Sequence, residues 1–239
     1  LRVPGHGTAP SGLLRVEWED MAGAVELAMR HLKQRVPEGP LYLVGYSNGG
    51  ALSVLYSLHA LTDETLPAPQ GVVLLSPEIG ISKAAAVAGP MERLGRVFGL
   101  SKLAWTVARS EYDPYKYISF TLNAGKQSYE LTQEIQSQIT ELSPTGVLSR
   151  MPPILAFQSI VDNTVTAPAL VSGLLGRLPE GGHELVIFDI NRNARVLHLL
   201  SGNPSAWLEA ALKDTGHPFT VTVISNQSDD TAKVVSHTR

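Results

Sequence analysis

The pentapeptide Gly-Tyr-Ser-Asn-Gly at residues 45–49 carries the clearest chemical signal in the sequence. It has the G-x-S-x-G form, in which a strand turns abruptly into a helix and presents a serine clear of the sheet. A serine hydroxyl is a weak nucleophile until a neighbouring base takes its proton. The context fits, because residues 41–44 are a short apolar run and an apolar, Gly- and Ala-rich segment begins at Asn48. We predict that Ser47 is the nucleophile and that the Asn48 backbone N–H is an oxyanion donor.

A serine nucleophile of this kind needs an acidic residue that orients the base, and the acid follows the serine in the chain. Asp162 fits, since it follows an apolar run at residues 154–157 within the loop Ser-Ile-Val-Asp-Asn-Thr-Val at residues 159–165. An alternative is that Asp162 only caps a helix starting near Thr166. A second candidate acid is Glu78, which follows the strand predicted at residues 71–75; Asp162 is preferred because its loop falls later in the sheet.

The histidine that would act as base is left open by the sequence. His198 is the best candidate within the chain, because it follows the strand predicted at residues 184–188 by ten residues. Its surroundings, Val-Leu-His-Leu-Leu at 196–200, also fit a histidine packed in an apolar helix. The other histidines fit less well, since they lie too early in the chain, in a helix-ending turn or near the last residue: His6, His31, His59, His183, His217 and His237.

Strands and helices alternate along the chain in the order that a doubly covered parallel sheet requires. Short apolar runs predict strands, and apolar residues at steps of three and four predict helices. The region from 79 to 148 interrupts this order, and we interpret it as an inserted helical cap with no strand. The predicted strands are 41–44, 71–75, 154–157, 184–188 and 219–224; the predicted helices are 17–35, 48–61, 82–98, 101–110, 126–142 and 167–178, with two more helical pieces between the last two strands.

The composition describes an ordinary globular protein: 239 residues, 44% hydrophobic and 17% charged, with a formal net charge of −3. Scattered charge of this size does not indicate a basic surface that would bind nucleic acid. The chain has no cysteine, which excludes disulfides and thiolate sites but leaves the compartment open. No apolar run reaches the roughly 18 residues of a membrane span. We therefore expect no nucleic-acid partner and no membrane span in this chain.

Three segments together resemble one branch of the α/β-hydrolases. They are the Arg-Val-Pro-Gly-His-Gly-Thr run at 2–8, the Trp-Glu-Asp at 18–20, and residues 45–50 with the serine motif. The branch is the carboxylesterase and monoglyceride-lipase-like group, which is serine aminopeptidase S33-like. The loop around Asp162 also looks like the acid loop of that group.

The resemblance implies an α/β-hydrolase that cleaves small carboxylic esters through an acyl-enzyme, with no metal and no cofactor. It implies that residues 1–239 are a single incomplete domain in which about three strands are absent before Leu1. It also implies that His6 belongs to a structural loop. It also allows the base to lie beyond Arg239. The rival functions are an aminopeptidase or amidase on the same scaffold, and an inactive hydrolase-like fragment.

Overall fold

The computed structural model describes residues 1–80, 104–113, 116–162, 164–190, 204–213, 216–228 and 231–239. Six strands within these ranges form one sheet, and two more form a separate ribbon. The strands of the sheet are β1 (Tyr42–Tyr46), β2 (Gly71–Leu75), β5 (Ile154–Ser159), β6 (His183–Asp189), β7 (Phe219–Asn226) and β8 (Val234–Thr238). Those of the ribbon are β3 (Trp105–Val107) and β4 (Phe120–Thr121).

The spatial order of the sheet is β1-β2-β5-β6-β7-β8. The first five strands in this order run parallel, and β8 returns antiparallel along β7. Parallel neighbours need crossover connections, and helices supply several of them. This is the predicted α/β architecture, and it places the carboxyl ends of β1, β2, β5 and β6 along one edge of the sheet.

Five α-helices accompany the strands in the described ranges: α1 (Trp18–Arg35), α2 (Asn48–Thr62), α3 (Leu122–Leu142), α4 (Ala167–Gly173) and α5 (Pro204–Lys213). Short 3₁₀ helices occur at Pro10–Leu14, Ser143–Thr145, Val147–Arg150 and Leu175–Arg177. None of the helices described is long and apolar enough to cross a membrane.

The hydrophobic core surrounds α2, which is buried on almost every side because β1, α1 and α3 all pack against it. Val54, Leu55 and Leu58 of this helix have no exposed surface. Helix α3 contributes Leu131 and Ile135, which are fully buried in the same cluster. Each such side chain stabilises the fold by about 1.5–3 kcal/mol. The helix that begins at the candidate nucleophile is therefore held by the centre of the core.

Several sequence predictions need correction at the level of elements. The helix predicted at 101–110 is wrong in the part that the structure describes, since Trp105–Val107 is strand β3, paired with β4; tryptophan, threonine and valine all favour strands. Helix α3 begins at residue 122 rather than 126, because the Thr121 hydroxyl accepts a hydrogen bond from the Ala124 N–H at 3.0 Å and caps it. Strand β8 was not predicted at all.

Strand β1 was predicted to be buried, and one of its faces is not. It is the end strand of the described sheet, and Tyr42, Val44 and Tyr46 are 60%, 68% and 70% exposed. The alternate residue Gly45 is buried toward α2. Only the face against α2 is therefore covered by residues that the structure describes.

The predicted cap at 79–148 stays a prediction. Residues 82–98 lie outside the described residues, and so does part of the 101–110 segment. In the rest, the ribbon and α3 are described, and α3 packs against α2 and α1.

Candidate active site

Ser47 lies at the abrupt turn between β1 and α2. Its backbone angles are φ 52° and ψ −118°, a conformation that side-chain-bearing residues rarely adopt. The turn is held by hydrogen bonds on both sides: the Ser47 N–H donates to the Leu75 carbonyl at 3.0 Å, and the Ser47 carbonyl accepts from the Gly50 N–H at 2.9 Å. This is the strained strand-to-helix geometry that the G-x-S-x-G pattern predicts.

Close packing at the turn requires glycine at positions 45 and 50. The G-x-S-x-G motif instead contains the glycines at positions 45 and 49. A Cβ on Gly45 would lie 2.4 Å from the Gly49 carbonyl oxygen, and a Cβ on Gly50 would lie 2.7 Å from the Pro77 Cβ. A Cβ on Gly49 would meet nothing within 4 Å. Gly45 and Gly50 therefore allow the strand, the helix and the Pro77 loop to approach, whereas Gly49 is not needed for this packing.

Asn48 is the first residue of α2, so its N–H has no acceptor within the helix. The positive end of the helix dipole also favours negative charge at this point. An oxyanion formed by attack of Ser47 would develop beside this N–H, which is the role predicted for it. The Asn48 side chain points to another partner: its amide Nδ2 donates to Glu78 Oε2 at 3.1 Å.

Asp162 lies in the loop after β5, and its carboxylate organises that loop. Asp162 Oδ1 accepts hydrogen bonds from the backbone N–H groups of Thr164 and Val165, at 2.9 and 3.1 Å. The cap of α4 is Thr166, whose hydroxyl accepts from the Ala169 N–H at 3.4 Å. Asp162 is therefore not the helix cap, and the alternative interpretation of it is wrong.

The sheet brings the Ser47 and Asp162 loops to the same edge. Ser47 follows β1 and Asp162 follows β5, with β2 between them, so the two strands are about 10 Å apart. An imidazole that bonds to a serine on one side and a carboxylate on the other bridges a gap of this kind. Strand β6, the next neighbour of β5, ends at the same edge.

No described histidine forms a hydrogen bond with Ser47 or Asp162, and the best candidate, His198, lies outside the described residues. His183 and His217 lie at the amino ends of β6 and β7, at the opposite edge of the sheet. His237 is on β8, five strands from β1 and roughly 24 Å away. His59, on α2, bonds to Glu26 at 3.3 Å and to Gln138 at 2.9 Å.

The loop that carries His6 is shaped by two glycines and contacts Tyr117. Gly5 and Gly7 adopt positive φ angles of 79° and 76°, which glycine tolerates. The His6 ring stacks on the Tyr117 ring with centroids 6.2 Å apart, and the Tyr117 hydroxyl accepts from the Thr8 N–H at 2.9 Å. The loop is thereby attached to residues just before β4.

Glu78, the second candidate acid, lies beside the Ser47 turn, a contact that the sequence did not predict. It follows β2 in the loop Ser-Pro-Glu at 76–78, and its backbone N–H donates to the Ser47 carbonyl at 3.0 Å. Burial raises the pKa of the Glu78 carboxyl, and hydrogen bonds from the side chains of Asn48 and Ser128 oppose that rise. Ser76, two residues before Glu78, also has a positive φ, of 43°. The only sequence signal was the position of an acid directly after a predicted strand.

A cavity of about 300 Å³ lies at this edge, between the end of β2 and the Asp162 loop. Its wall is mainly apolar, and the Phe157 and Phe188 rings stack across it with centroids 6.2 Å apart. The remaining lining residues are Leu75, Ser76, Gln158, Ser159, Ile160, Val161 and Ile190. Among the residues described, no group of three potential metal-binding side chains occurs.

A family model described as "Serine aminopeptidase, S33" matches residues 3–189, more than half of the chain. The chain belongs to the serine aminopeptidase S33 family. The match runs from the Pro-Gly-His-Gly loop to the end of β6, so it includes Ser47, Asn48 and Asp162. It confirms the predicted resemblance and identifies this S33 chain as a member of a hydrolase family. The comparison with curated proteins finds no match.

Solved structures show the same fold at low sequence identity. A soluble variant of monoglyceride lipase from Saccharomyces cerevisiae, in complex with a substrate analogue, superposes with a TM-score of 0.53 and 11% identity. The alignment covers 78% of this S33 chain and 66% of the lipase chain. A thermostable carboxyl esterase from Bacillus coagulans gives a TM-score of 0.49 at 12% identity, covering 87% of this chain and 78% of the esterase. The lipase superposition confirms the predicted α/β-hydrolase fold.

Proposed function

We propose that this chain is the core of a serine hydrolase that cleaves carboxylic esters through an acyl-enzyme intermediate. In the proposal, Ser47 attacks the ester carbonyl while a histidine accepts its proton, and Asp162 orients that histidine. The tetrahedral oxyanion accepts a hydrogen bond from the Asn48 N–H, the alcohol leaves with a proton, and water then releases the acid. His198 is the candidate base within this chain.

The observation that carries the proposal is the strained backbone of Ser47 at the edge where Asp162 also lies. Strain of this kind costs of order 1–3 kcal/mol and persists where the surroundings enforce it, typically at functional sites. Asp162 Oδ1 accepts two hydrogen bonds from backbone N–H groups of its own loop. Those bonds fix the direction of the carboxylate, as an orienting acid requires.

The apolar cavity beside the turn supports an uncharged substrate with an apolar group. Its volume of about 300 Å³ is at the small end of the range for ligand pockets. The yeast lipase and the bacterial esterase are named for ester substrates, which favours the same class of bond here.

An aminopeptidase is the rival function, because the family is described as a serine aminopeptidase family. Recognition of a substrate amine would need acidic side chains free to bind it. Among the acidic residues of the predicted cap segment, Glu111 accepts bonds from the Ile118 and Ser119 N–H groups, at 2.7 and 2.8 Å. Glu130 pairs with Lys126 at 3.3 Å, and Glu134 accepts from Gln138 at 2.7 Å. Their engagement favours an ester substrate over a peptide.

The test compares hydrolysis of p-nitrophenyl esters of increasing acyl length with hydrolysis of aminoacyl p-nitroanilides by the natural protein. We expect turnover of the esters, abolished by Ser47→Ala and reduced roughly 10³- to 10⁴-fold in kcat by Asp162→Asn. Asp63→Asn is the matched control, because Asp63 Oδ1 accepts a comparable bond from the Thr65 N–H at 2.8 Å at the far end of α2. Turnover of the anilides without the esters would favour the aminopeptidase.

A further inference from the structure

The carbonyl of the peptide unit between Ser47 and Asn48 accepts hydrogen bonds from three N–H groups. The Ser47 carbonyl accepts from the N–H groups of Gly50, Ala51 and Glu78, at 2.9, 3.3 and 3.0 Å. The first two bonds belong to the start of α2, whereas the third comes from a different loop. Because the peptide unit is planar and trans, fixing this carbonyl also fixes the N–H of Asn48, which points the opposite way.

The Glu78 side chain bonds to the side chain of Asn48, the residue that follows this peptide unit. Glu78 Oε2 accepts a hydrogen bond from Asn48 Nδ2 at 3.1 Å. A single residue therefore bonds to the carbonyl before the Asn48 nitrogen and to the side chain after it. The rotation of the Asn48 N–H about the chain direction is restrained at both points.

The carboxyl of Glu78 is largely removed from solvent. The Ser128 side chain of α3, which is 8% exposed, is one of the groups that lower the pKa of this carboxyl. A carboxyl group in such surroundings loses hydration, and burial accordingly raises the pKa of Glu78. An apolar residue at this position would avoid the desolvation cost of a carboxyl group. The hydrogen bonds of the Glu78 carboxyl therefore have to account for its presence.

We propose that Glu78 is a positioning residue that holds the Asn48 N–H in the direction of the developing oxyanion. The proposal rests on the proposed function, since it assigns Glu78 a role in the same acyl-transfer site. It also separates the two candidate acids: Asp162 orients the base, and Glu78, whose carboxyl accepts a hydrogen bond from the Asn48 side chain, supports the oxyanion donor.

Misalignment of the donor weakens its hydrogen bond to the transition-state oxyanion more than its hydrogen bond to the bound substrate. The effect should therefore fall on kcat rather than on KM. Removing an oxyanion donor costs about 10²- to 10³-fold, and loosening one should cost less. We expect Glu78→Ala and Asn48→Ala each to lower kcat about tenfold with KM changed less than twofold. Asn48→Ala keeps the backbone N–H and removes only the bond to Glu78.

The experiment measures kcat and KM for a p-nitrophenyl ester in the natural protein and in these two variants, their double variant and Glu78→Gln. If Glu78 acts through Asn48, the double variant should lose no more than the worse single variant. Glu78→Gln should restore most of kcat, because its amide oxygen still accepts from Asn48. Glu180→Ala is the control, since Glu180 is exposed at the opposite edge of the sheet.

Three results would overturn the assignment: losses that multiply to about a hundredfold in the double variant, a lowered melting temperature with unchanged kcat, or an Asn48→Ala protein with full kcat. If Glu78→Ala does not fold, Asn48→Ala and Glu78→Gln decide the question alone. A parent protein without ester turnover or labelling of Ser47 by a fluorophosphonate would instead contradict the proposed function, and the role of Glu78 would fall with it.

Discussion

Ser47 combines an unfavourable backbone conformation with a full set of backbone hydrogen bonds. Its N–H continues the β1–β2 pairing through Leu75, and its carbonyl accepts bonds from both α2 and the Glu78 loop. These bonds hold φ at 52°, where a side chain is strained. The fold therefore stabilises a turn that the local sequence would not adopt alone.

Replacing Ser47 separates strain from chemistry. Glycine accepts a positive φ without a steric penalty, whereas alanine retains it. We expect both Ser47→Gly and Ser47→Ala to lack ester hydrolysis, with Ser47→Gly more stable than Ser47→Ala by about 1 kcal/mol. Urea denaturation followed by circular dichroism measures the difference. An alanine variant that equals or exceeds the glycine variant in stability would contradict the strained geometry.

The candidate serine, oxyanion donor and acid could be proposed from sequence because each occupies a characteristic place relative to a strand, and the structure brings the loops of the serine and the acid to one edge of the sheet. The partnership of Asn48 with Glu78 could not be predicted, since the two are 30 residues apart. Only the register of β1 on β2, in which Tyr46 pairs with Leu75, brings them together. The position of the base also depends on residues 191–203, where the predicted helix containing His198 lies outside the described residues.

At the scale of elements, the contact of β1 with α2 depends on Gly45 and not on Gly49. A Cβ at position 45 would clash with backbone atoms, which cannot rotate away, whereas a Cβ at position 49 would meet no atom within 4 Å. The motif shows both glycines alike, so only the structure distinguishes them.

Alanine substitutions test this distinction directly. Gly45→Ala forces its Cβ against the Gly49 carbonyl and should destabilise the fold by about 1–3 kcal/mol or more. Gly49→Ala introduces no clash, and alanine is a better helix former than glycine, so its stability should be unchanged or slightly higher. Thermal unfolding of the two variants beside the parent measures the contrast. Equal losses in both would show that the strand and helix do not approach as described.

Elements with strong local patterns were predicted well, and those that depend on distant pairing were not. Strand β2 and helix α2 begin within a residue of their predicted positions, because an uninterrupted apolar run and a long apolar segment define them. The β3–β4 ribbon pairs residues across a loop; β3 was mistaken for part of a helix, and β4 was not predicted. The exposed face of β1 was also missed, because burial depends on which neighbours a strand has.

For the whole molecule, the two edges of the sheet differ in what they carry. The carboxyl edge holds the Ser47, Glu78 and Asp162 loops, whereas the amino edge holds His183, which is 2% exposed. The Ile154 N–H donates to His183 Nδ1 at 3.2 Å and links β5 to β6. Burial lowers the pKa of His183, and a hydrogen bond with the Pro179 backbone partly offsets this. This histidine therefore contributes to the stability of the fold by linking β5 to β6.

A pH dependence of stability follows from the neutral state of His183. In the unfolded chain it takes up a proton below about pH 6.5, whereas the fold resists protonation to a lower pH. Its stabilising contribution is thus present above pH 6.5 and decreases as the pH falls toward the pKa of the folded state. We expect the melting temperature to fall between pH 7.5 and 5.5 and His183→Asn to flatten that slope. His31→Asn, on the exposed face of α1, is the control; an unchanged slope in His183→Asn would contradict this role.

The most direct test of the account is the site of covalent labelling by a fluorophosphonate in the natural protein. Attack by an activated serine displaces fluoride and leaves the phosphonyl group on the serine oxygen. Peptide mass spectrometry should place the group on Ser47, with labelling absent in Ser47→Ala and slowed in Asp162→Asn. Labelling that persists in Ser47→Ala, or a parent protein that stays unmodified while a known serine esterase reacts, would contradict Ser47 as the nucleophile.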